Sequence, residues 1–263
     1  MTRPLWVRAF GSWIFRYRRT WRGSVATGFA LPLLYLAALG AGLGTLVDHH
    51  VAGTAAVASL GGAGYLPFVA PGLLAGSAMQ VATSEATFPV MAAIKWERLY
   101  EAMLGTPLRV GDVLAGHLAY IALRTGVTSG AFLLVASGFG ALRSPEAALA
   151  LPAGVLVGIA FATPLVAFAA TQHDAVGFNV VNRVVIVPLF LFSGSFFPIS
   201  RLPGALQVVA ELTPLYHGVA LARSCTLGHL AAWSTLGHVS YLACLAALSS
   251  LAARRSYRAR LAP

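Results

Sequence analysis

Two charged side chains interrupt apolar segments that are long enough to cross a membrane. Glu85 lies near the end of the apolar run 67–88, and Arg124 lies within the run 113–139. A charged group at membrane depth is costly and usually faces a partner or a cavity. Arg124 lies about 16 Å into its run at about 1.5 Å per residue, so we predict that Glu85 neutralises it. The alternatives are a carboxylate at headgroup level and an arginine that extends to the surface.

The same intramembrane groups, together with His117, would suit a proton relay. That chemistry is typical of an ion- or proton-coupled secondary transporter. Such transporters are commonly built from internal repeats, and no repeat is visible in this sequence. A secondary transporter therefore stays open as the alternative function.

Signatures of two enzyme classes are missing from the sequence. A Walker A loop ends in Gly-Lys-Ser/Thr, and the only lysine, Lys95, follows Ala-Ala-Ile. The chain therefore does not bind ATP through such a loop, and any ATPase must be a separate polypeptide. An intramembrane serine protease would need Gly-x-Ser-Gly and a histidine base, and no Gly-x-Ser-Gly occurs. Nucleophile and base cannot be assembled without it.

Metal-binding patterns are weak. Asp48-His49-His50 places two adjacent histidines beside one carboxylate, but it lacks the spacing of a zinc site, and we expect a solvated loop. Cys225 and Cys244 also lack metal-type spacing, and we expect free thiols. We therefore expect neither a metal nor a cofactor in this chain.

The composition is that of an all-α, polytopic membrane protein. The chain is 58% hydrophobic and only 10% charged, whereas soluble domains carry roughly 25% charged residues. Its mean hydropathy is +0.77. We predict one transmembrane domain over residues 1–263, with six spans. They cover residues 25–47, 67–88, 113–139, 148–170, 184–197 and 233–251.

The net charge of +10 is explained by topology rather than by nucleic-acid binding. Basic residues collect on the cytoplasmic side of membrane spans. Six spans put both termini on one side, together with most of the basic residues. These are Arg3, Arg8, Arg16, Arg18, Arg19, Arg22, Lys95, Arg98, Arg109, Arg183, Arg254, Arg255, Arg258 and Arg260. Only Arg143, Arg201 and Arg223 fall on the other side, so we predict that both termini are cytoplasmic in the cell membrane.

Five aromatic residues near the N-terminus recur at steps of three or four, which places them on one helix face. They are Trp6, Phe10, Trp13, Tyr17 and Trp21. Arginines occupy the remaining faces. This combination is typical of a helix that lies in the lipid headgroup layer. We predict an interfacial helix over 1–22, and the alternative is a basic flank before the first span.

The most polar internal segment lies between the second and third spans. Lys95, Glu97, Arg98 and Glu101 carry mixed charge at helical spacing, and Trp96 and Tyr100 are four residues apart. Gly105 and Pro107 end the pattern. We predict a short amphipathic helix over 93–104 that docks to another protein.

The segment before the last span stops behaving like a membrane helix. Gly194 and Pro198 interrupt an apolar run, and Pro203 and Pro214 follow. Backbone that is not helical survives at membrane depth only where protein or a water-filled cavity covers it. We predict a re-entrant segment over 198–223 on the outer side, with Phe196 and Phe197 as an apolar plug. The alternative is a span, a surface loop and another span.

Two stretches resemble a known family, the type-2 ABC exporter permeases, in the subgroup of nodulation-factor lipo-oligosaccharide and daunorubicin exporters. One is Trp96-Glu-Arg-Leu-Tyr-Glu-Ala-Met-Leu-Gly-Thr-Pro-Leu-Arg-Val-Gly-Asp112. The other is Phe192-Ser-Gly-Ser-Phe-Phe-Pro-Ile-Ser-Arg-Leu-Pro203 with Leu212-Thr-Pro-Leu-Tyr-His-Gly-Val-Ala-Leu-Ala-Arg223. The second stretch is the more specific of the two.

This resemblance implies a permease that exports an amphipathic substrate such as a lipid, a glycolipid or a hydrophobic drug. It implies two permease chains, identical or paralogous, in contact with membrane lipids, and two ATPase subunits that hold ATP and Mg. In that family the loop after the second span meets the ATPase, and the stretch before the last span forms outer re-entrant helices. The direction of transport follows from the resemblance alone.

Overall fold

A computed structural model describes residues 4–44 and 64–261, and all regular elements in these two ranges are helical. We number the α-helices in chain order. They are α1 Trp6–Leu36, α2 Tyr65–Ala86, α3 Phe88–Lys95, α4 Leu99–Leu104, α5 Val110–Gly138, α6 Ala150–Thr171, α7 Val176–Val181, α8 Val187–Phe192, α9 Gly204–Glu211, α10 Pro214–Leu227 and α11 Ala232–Leu261. Short π-helical or 3₁₀ turns adjoin them at Ala37–Gly44, Pro145–Leu149, Asn182–Ile186 and Ile199–Arg201.

Within the described ranges, four helical stretches are long and apolar enough to cross a membrane. They are Tyr65–Lys95, Val110–Gly138, Pro145–Thr171 and Ala232–Leu261. Each contains or closely matches a predicted span. Residues 184–192 of the span predicted at 184–197 lie in a shorter apolar helical stretch, Val176–Phe192, and residues 193–197 lie in the turn that follows it. The all-α class is therefore confirmed, and the count of six spans stays a prediction.

The N-terminal region is one continuous helix where an interfacial helix over 1–22 and a span over 25–47 were expected. α1 runs from Trp6 to Leu36 and continues as the π-helical turn Ala37–Gly44. Residues 45–47 of the expected span lie outside the described part of the chain. Gly23 does not end the helix, because one interior glycine costs only about 1 kcal/mol.

α1 lies along α5 and touches α2. α6 packs against α2, α5 and α11, and α10 inserts against α2, α6 and α11. The buried apolar side chains form two clusters. One gathers the end of α2, the start of α5 and the start of α1, including Trp13. The other gathers the start of α2 and the end of α5, including Phe68 and Phe132. The helix bundle therefore has two distinct packed ends, and each contains one of the regions singled out from the sequence.

Candidate functional site

The segment predicted as one helix over 93–104 is a helical hairpin, which we call the Phe88–Leu104 hairpin. α3 ends at Lys95, where the amides of Trp96 and Glu97 both donate to the carbonyl of Ala92. Arg98 then takes a left-handed conformation, with φ of 47°, and α4 begins at Leu99. This reversal separates two residues that an unbroken helix would place on one face.

Trp96 is 60% exposed and lies against the ring of Phe88, whereas Tyr100 is fully buried. Lys95, Glu97, Arg98 and Glu101 are all exposed. The hairpin thus presents mixed charge and one large aromatic ring on its outer surface. Its inner surface is anchored in the bundle through Tyr100.

Two polar contacts hold the exposed turn of the hairpin in place. Arg16 on α1 forms a bidentate ion pair with Glu97, in which Nη2 lies 2.7 Å from Oε1. Lys95 donates to the backbone carbonyl of His173, which follows α6. Both partners of the ion pair are 40% exposed, so its contribution to stability is at most about 1 kcal/mol. The contacts fix the orientation of the turn more than they stabilise the fold.

Beneath the hairpin, four helices meet in a buried aromatic cluster. The Tyr100 hydroxyl on α4 lies 3.1 Å from His117 Nδ1 on α5 and accepts from the Tyr257 hydroxyl on α11 at 3.3 Å. Trp13 on α1 stacks on His117, with centroids 4.1 Å apart and planes within 6°. Burial, together with the neighbouring Tyr257, raises the pKa of Tyr100 well above its ordinary value. Tyr100 therefore acts as a neutral hydrogen-bonding hydroxyl.

Nε1 of Trp13 is buried in this cluster and has no hydrogen-bond partner among the described residues. Nε2 of His117 is also buried and has only a weak interaction, with the backbone of Glu85. An unpaired buried polar atom typically costs about 1–3 kcal/mol. The cluster is therefore not optimised for stability alone, which makes it a candidate for a role in movement.

The two intramembrane charges lie together. Arg124 Nη2 is 3.3 Å from Glu85 Oε1, and the two side chains are only 15% and 16% exposed. Arg124 also donates from Nη1 to the hydroxyl of Ser24 at 3.0 Å, and its guanidinium lies 4.7 Å from the centroid of the Tyr17 ring. The sequence indicated Glu85 as the partner, but it did not indicate the two α1 residues.

Aromatic contacts join the Glu85–Arg124 pair to the cluster under the hairpin. Tyr120 contacts Tyr17 with ring centroids 6.2 Å apart and Trp13 with centroids 5.5 Å apart. The set reaches from inside the bundle to the hairpin, and we call it the polar-aromatic network. Its members are Trp13, Tyr17, Ser24, Glu85, Tyr100, His117, Tyr120, Arg124 and Tyr257.

Sequence reasoning placed Trp13 and Tyr17 on a lipid-facing surface, whereas in the structure they pack on α5. Trp13 is 3% exposed, while Trp6 and Trp21 remain 39% and 46% exposed. A signal was available on α5, where His117, Tyr120 and Arg124 are spaced by three and four residues and so share one helix face. That polar-aromatic face required a partner, and α1 supplies it.

The second region is the segment after α8. Each of its three prolines stands at a helix start, where the missing N–H is not needed. Pro198 precedes the 3₁₀ turn Ile199–Arg201, Pro203 precedes α9, and Pro214 opens α10. Thr213 caps α10 by accepting from the amide of Tyr216.

The turn Ser193–Pro198 packs directly onto α2. Gly194 has φ of +80°, a conformation that residues with a side chain rarely adopt. A Cβ added to Gly72 of α2 would lie only 2.6 Å from the Cα of Ser195. Phe196 makes an edge contact with Phe190 at 5.1 Å, and Phe197 is half-buried. The turn thus depends on a notch in α2 that the absence of a side chain creates.

Arg223 on α10 links this turn to α2. Its guanidinium donates to the carbonyl of Gly194 at 2.8 Å and to that of Phe68 at 3.2 Å, and it lies 4.0 Å from the Phe68 ring centroid. Among the residues described, no carboxylate forms an ion pair with it. Backbone carbonyls and an aromatic face therefore stabilise the charge.

Metal-ligating side chains do not gather in threes within residues 4–44 and 64–261. The Asp48-His49-His50 sequence lies outside these ranges. Cys225 is buried and Cys244 is exposed, and both are free thiols.

Comparison with known proteins gives consistent relatives. The ABC-2 type transporter family matches residues 6–227 of the chain. Nodulation protein J of Rhizobium leguminosarum bv. trifolii is 34% identical over 225 residues, covering 83% of this chain and 82% of the relative. Nodulation protein J of Rhizobium meliloti strain 1021 is 31% identical over 259 residues, covering 96% and 95%. That of Bradyrhizobium diazoefficiens is 30% identical over 257 residues, covering 98% and 92%.

Proposed function

Since the chain belongs to the ABC-2 type transporter family, we propose that it is the transmembrane permease subunit of an ATP-driven exporter. Its substrate is amphipathic, such as a lipid, a glycolipid or a hydrophobic drug. The observation that carries the proposal is the family match over residues 6–227, which includes the hairpin, every network residue except Tyr257, and the segment after α8.

ATP and Mg are bound by a separate ATPase subunit, because the sequence has no Walker A loop. The Phe88–Leu104 hairpin is the surface that docks on this subunit. Its exposed Lys95, Trp96, Glu97, Arg98 and Glu101 supply charge and one aromatic ring, which are the features that position and anchor a protein partner. The buried Tyr100 anchors the hairpin in the helix bundle.

The polar-aromatic network carries movement between the hairpin and the membrane interior. A displaced hairpin shifts Tyr100, and Tyr100 contacts α5 through His117 and α11 through Tyr257. The unpaired Nε1 of Trp13 favours a cluster with a second arrangement in which this nitrogen finds a partner. The Glu85–Arg124 pair lies at the end of this path that is farther from the hairpin, inside the helix bundle.

The segment from Gly194 to Arg223 forms the outer gate of the transport path. Gly194, Phe196, Phe197, Pro198, Pro203 and Pro214 shape it, and Arg223 holds its first turn on α2. The path lies between two permease chains, as a homodimer or with a paralogue. Exposed apolar side chains on α8 and α9, which border a cavity of about 400 Å³, suit a second chain or lipid.

A secondary transporter is the second candidate, because a membrane-buried ion pair such as Glu85–Arg124 also suits proton coupling. Nucleotide dependence separates the two functions. Each ATPase encoded near this gene is co-expressed with the permease, and we expect one of them to copurify with it. Vesicles holding the complex should move a fluorescent lipid or hydrophobic dye only with ATP and Mg.

The matched control is the same complex with the Walker A lysine of the ATPase replaced, which should retain assembly and lose transport. Transport that needs a proton gradient but no ATP would contradict the exporter proposal and support the secondary transporter. Failure of any neighbouring ATPase to bind the permease would also contradict the proposal.

A further inference from the structure

Two histidines meet where α10 packs against α11, away from the network and from the turn that Arg223 holds. His217 lies in the first turn of α10, and His238 lies in the second turn of α11. Their Nδ1 atoms are 2.8 Å apart, and both rings are half-buried. Because the residues belong to different helices, helix packing rather than local sequence brings them together.

Neighbouring aromatic rings hold the two imidazoles in place. Tyr241 stacks on His217, with ring centroids 3.9 Å apart and planes 21° apart. Tyr216 meets His238 edge-on at 6.0 Å. The Tyr241 hydroxyl itself donates to the carbonyl of Leu212. His217 is therefore oriented by a side chain that is itself anchored by a hydrogen bond.

We propose that His217 and His238 form a binding site for a divalent transition metal, of which Zn²⁺ is the representative. Because the two Nδ1 atoms share a hydrogen bond, one of them carries the proton and the other accepts it. When a metal binds both lone pairs, that proton moves to Nε2 of its own ring or leaves to water. Zn–N bonds of about 2.0–2.1 Å in tetrahedral geometry place two nitrogens about 3.4 Å apart. The rings need to separate by only about 0.6 Å to reach that distance, with water completing the coordination.

A metal at this position would join α10 to α11 across the loop that connects them. The binding claim does not depend on the proposed function, because it concerns only the two imidazoles. If the chain is an exporter, the bridge would tie α10, which belongs to the proposed gate, to α11, and zinc would inhibit transport.

The test uses the full-length protein with an affinity tag that contains no histidine. His49→Ala and His50→Ala are introduced first, because adjacent histidines could bind zinc weakly. Equilibrium dialysis with Zn²⁺ should then show one saturable site per chain. The variant His217→Asn/His238→Asn keeps hydrogen-bonding amides near the Nδ1 positions. It should bind zinc at least about tenfold more weakly, a loss that even substitutions around the ligands reach.

His229→Asn is the matched control, because His229 is exposed in the loop between the same two helices. Zinc should raise the unfolding temperature of the parent and of this control, since a ligand that binds only the folded state stabilises it. It should not do so in the double asparagine variant, and each single variant gives the same comparison if the double variant folds poorly. Absence of a saturable site in the parent, or equal binding in the double variant, would overturn the proposal.

Discussion

Arg124 and Glu85 neutralise each other where a single charge would be costly. The pair is closed by a 3.3 Å contact, and Ser24 and the ring of Tyr17 satisfy further faces of the guanidinium. These α1 contacts explain why the arginine does not need to extend to the surface. They also make α1 part of any change at this site.

We predict that Glu85→Gln destabilises the permease more than removal of both charges does. Breaking a buried pair typically costs about 3–5 kcal/mol, because it leaves one charge uncompensated. The remaining Ser24 and Tyr17 contacts should put this variant at the lower end of that range. The unfolding temperature in detergent should fall more in Glu85→Gln than in Glu85→Gln/Arg124→Met.

Glu146→Gln provides the control for this comparison, because Glu146 is an exposed carboxylate in the 3₁₀ turn before α6. It should leave the unfolding temperature unchanged. Additive losses in the double variant would show that the two charges do not interact, and would refute the pairing.

Some members of the polar-aromatic network could be predicted from the sequence, and others could not. Glu85 and Arg124 were recognisable because an ionised group in an apolar run demands a partner. Trp13 and Tyr17 were assigned to lipid because an aromatic stripe has the same spacing whether it faces lipid or another helix. Only the polar-aromatic face of α5 could have decided between them.

At the scale of elements, the continuous apolar runs predicted four long helices correctly. The helix boundaries within the polar segment 93–104 were not predicted. The split between α3 and α4 rests on Arg98 in a left-handed conformation, for which no glycine or asparagine stands as a signal. Trp96 and Tyr100 have spacing that suits an unbroken helix equally well. Packing of Tyr100 into the bundle overrides that local preference.

We predict that Glu97→Lys/Glu101→Lys uncouples ATP hydrolysis from transport while the permease stays in the membrane. The change replaces two exposed negative charges on the proposed docking surface with positive ones. A tenfold loss of affinity for the ATPase corresponds to about 1.4 kcal/mol, and reversal of two charges should reach at least that. Copurified ATPase and ATP-dependent transport are the measurements.

Glu97 also pairs with Arg16, so the loss of that pair needs its own control. Arg16→Gln removes the pair without reversing the surface charge, and it should retain most of the transport. Unchanged assembly and transport in the double lysine variant would show that the hairpin is not the surface that docks on the ATPase.

At the scale of the whole molecule, the distribution of basic residues predicts which packed end faces the cytoplasm. On this prediction the Phe88–Leu104 hairpin and both termini lie on the arginine-rich, cytoplasmic side, and the segment from Ser193 to Arg223 lies on the other. Large exposed apolar side chains such as Phe15, Leu134 and Trp233 are consistent with a surface that meets lipid or another chain.

We predict that cysteines at Ser200 and Ala205 react with a membrane-impermeant thiol reagent from outside intact cells. Both positions are exposed, and both lie on the side predicted to be external. The background carries Cys225→Ala and Cys244→Ala, since Cys244 is an exposed thiol. Mass-tagging of the purified protein measures the labelling.

Glu101→Cys in the same background is the internal control, because Glu101 is exposed at the opposite packed end. It should react only after the cells are permeabilised. If Ser200→Cys and Ala205→Cys were labelled only after permeabilisation, the predicted topology would be wrong, and this segment could not be an outer gate.

Arg223 links Gly194 in the proposed gate to Phe68 on α2, and this link affects when water could enter between them. Lifting the turn away from α2 takes the guanidinium from at least one of the two carbonyls it serves. A carbonyl released in a dry seam costs several kcal/mol, whereas one that meets water costs far less. If this segment is a gate, water entry and mechanical opening would be coupled, and the seam would become hydrated before any passage wide enough for an amphipathic substrate formed.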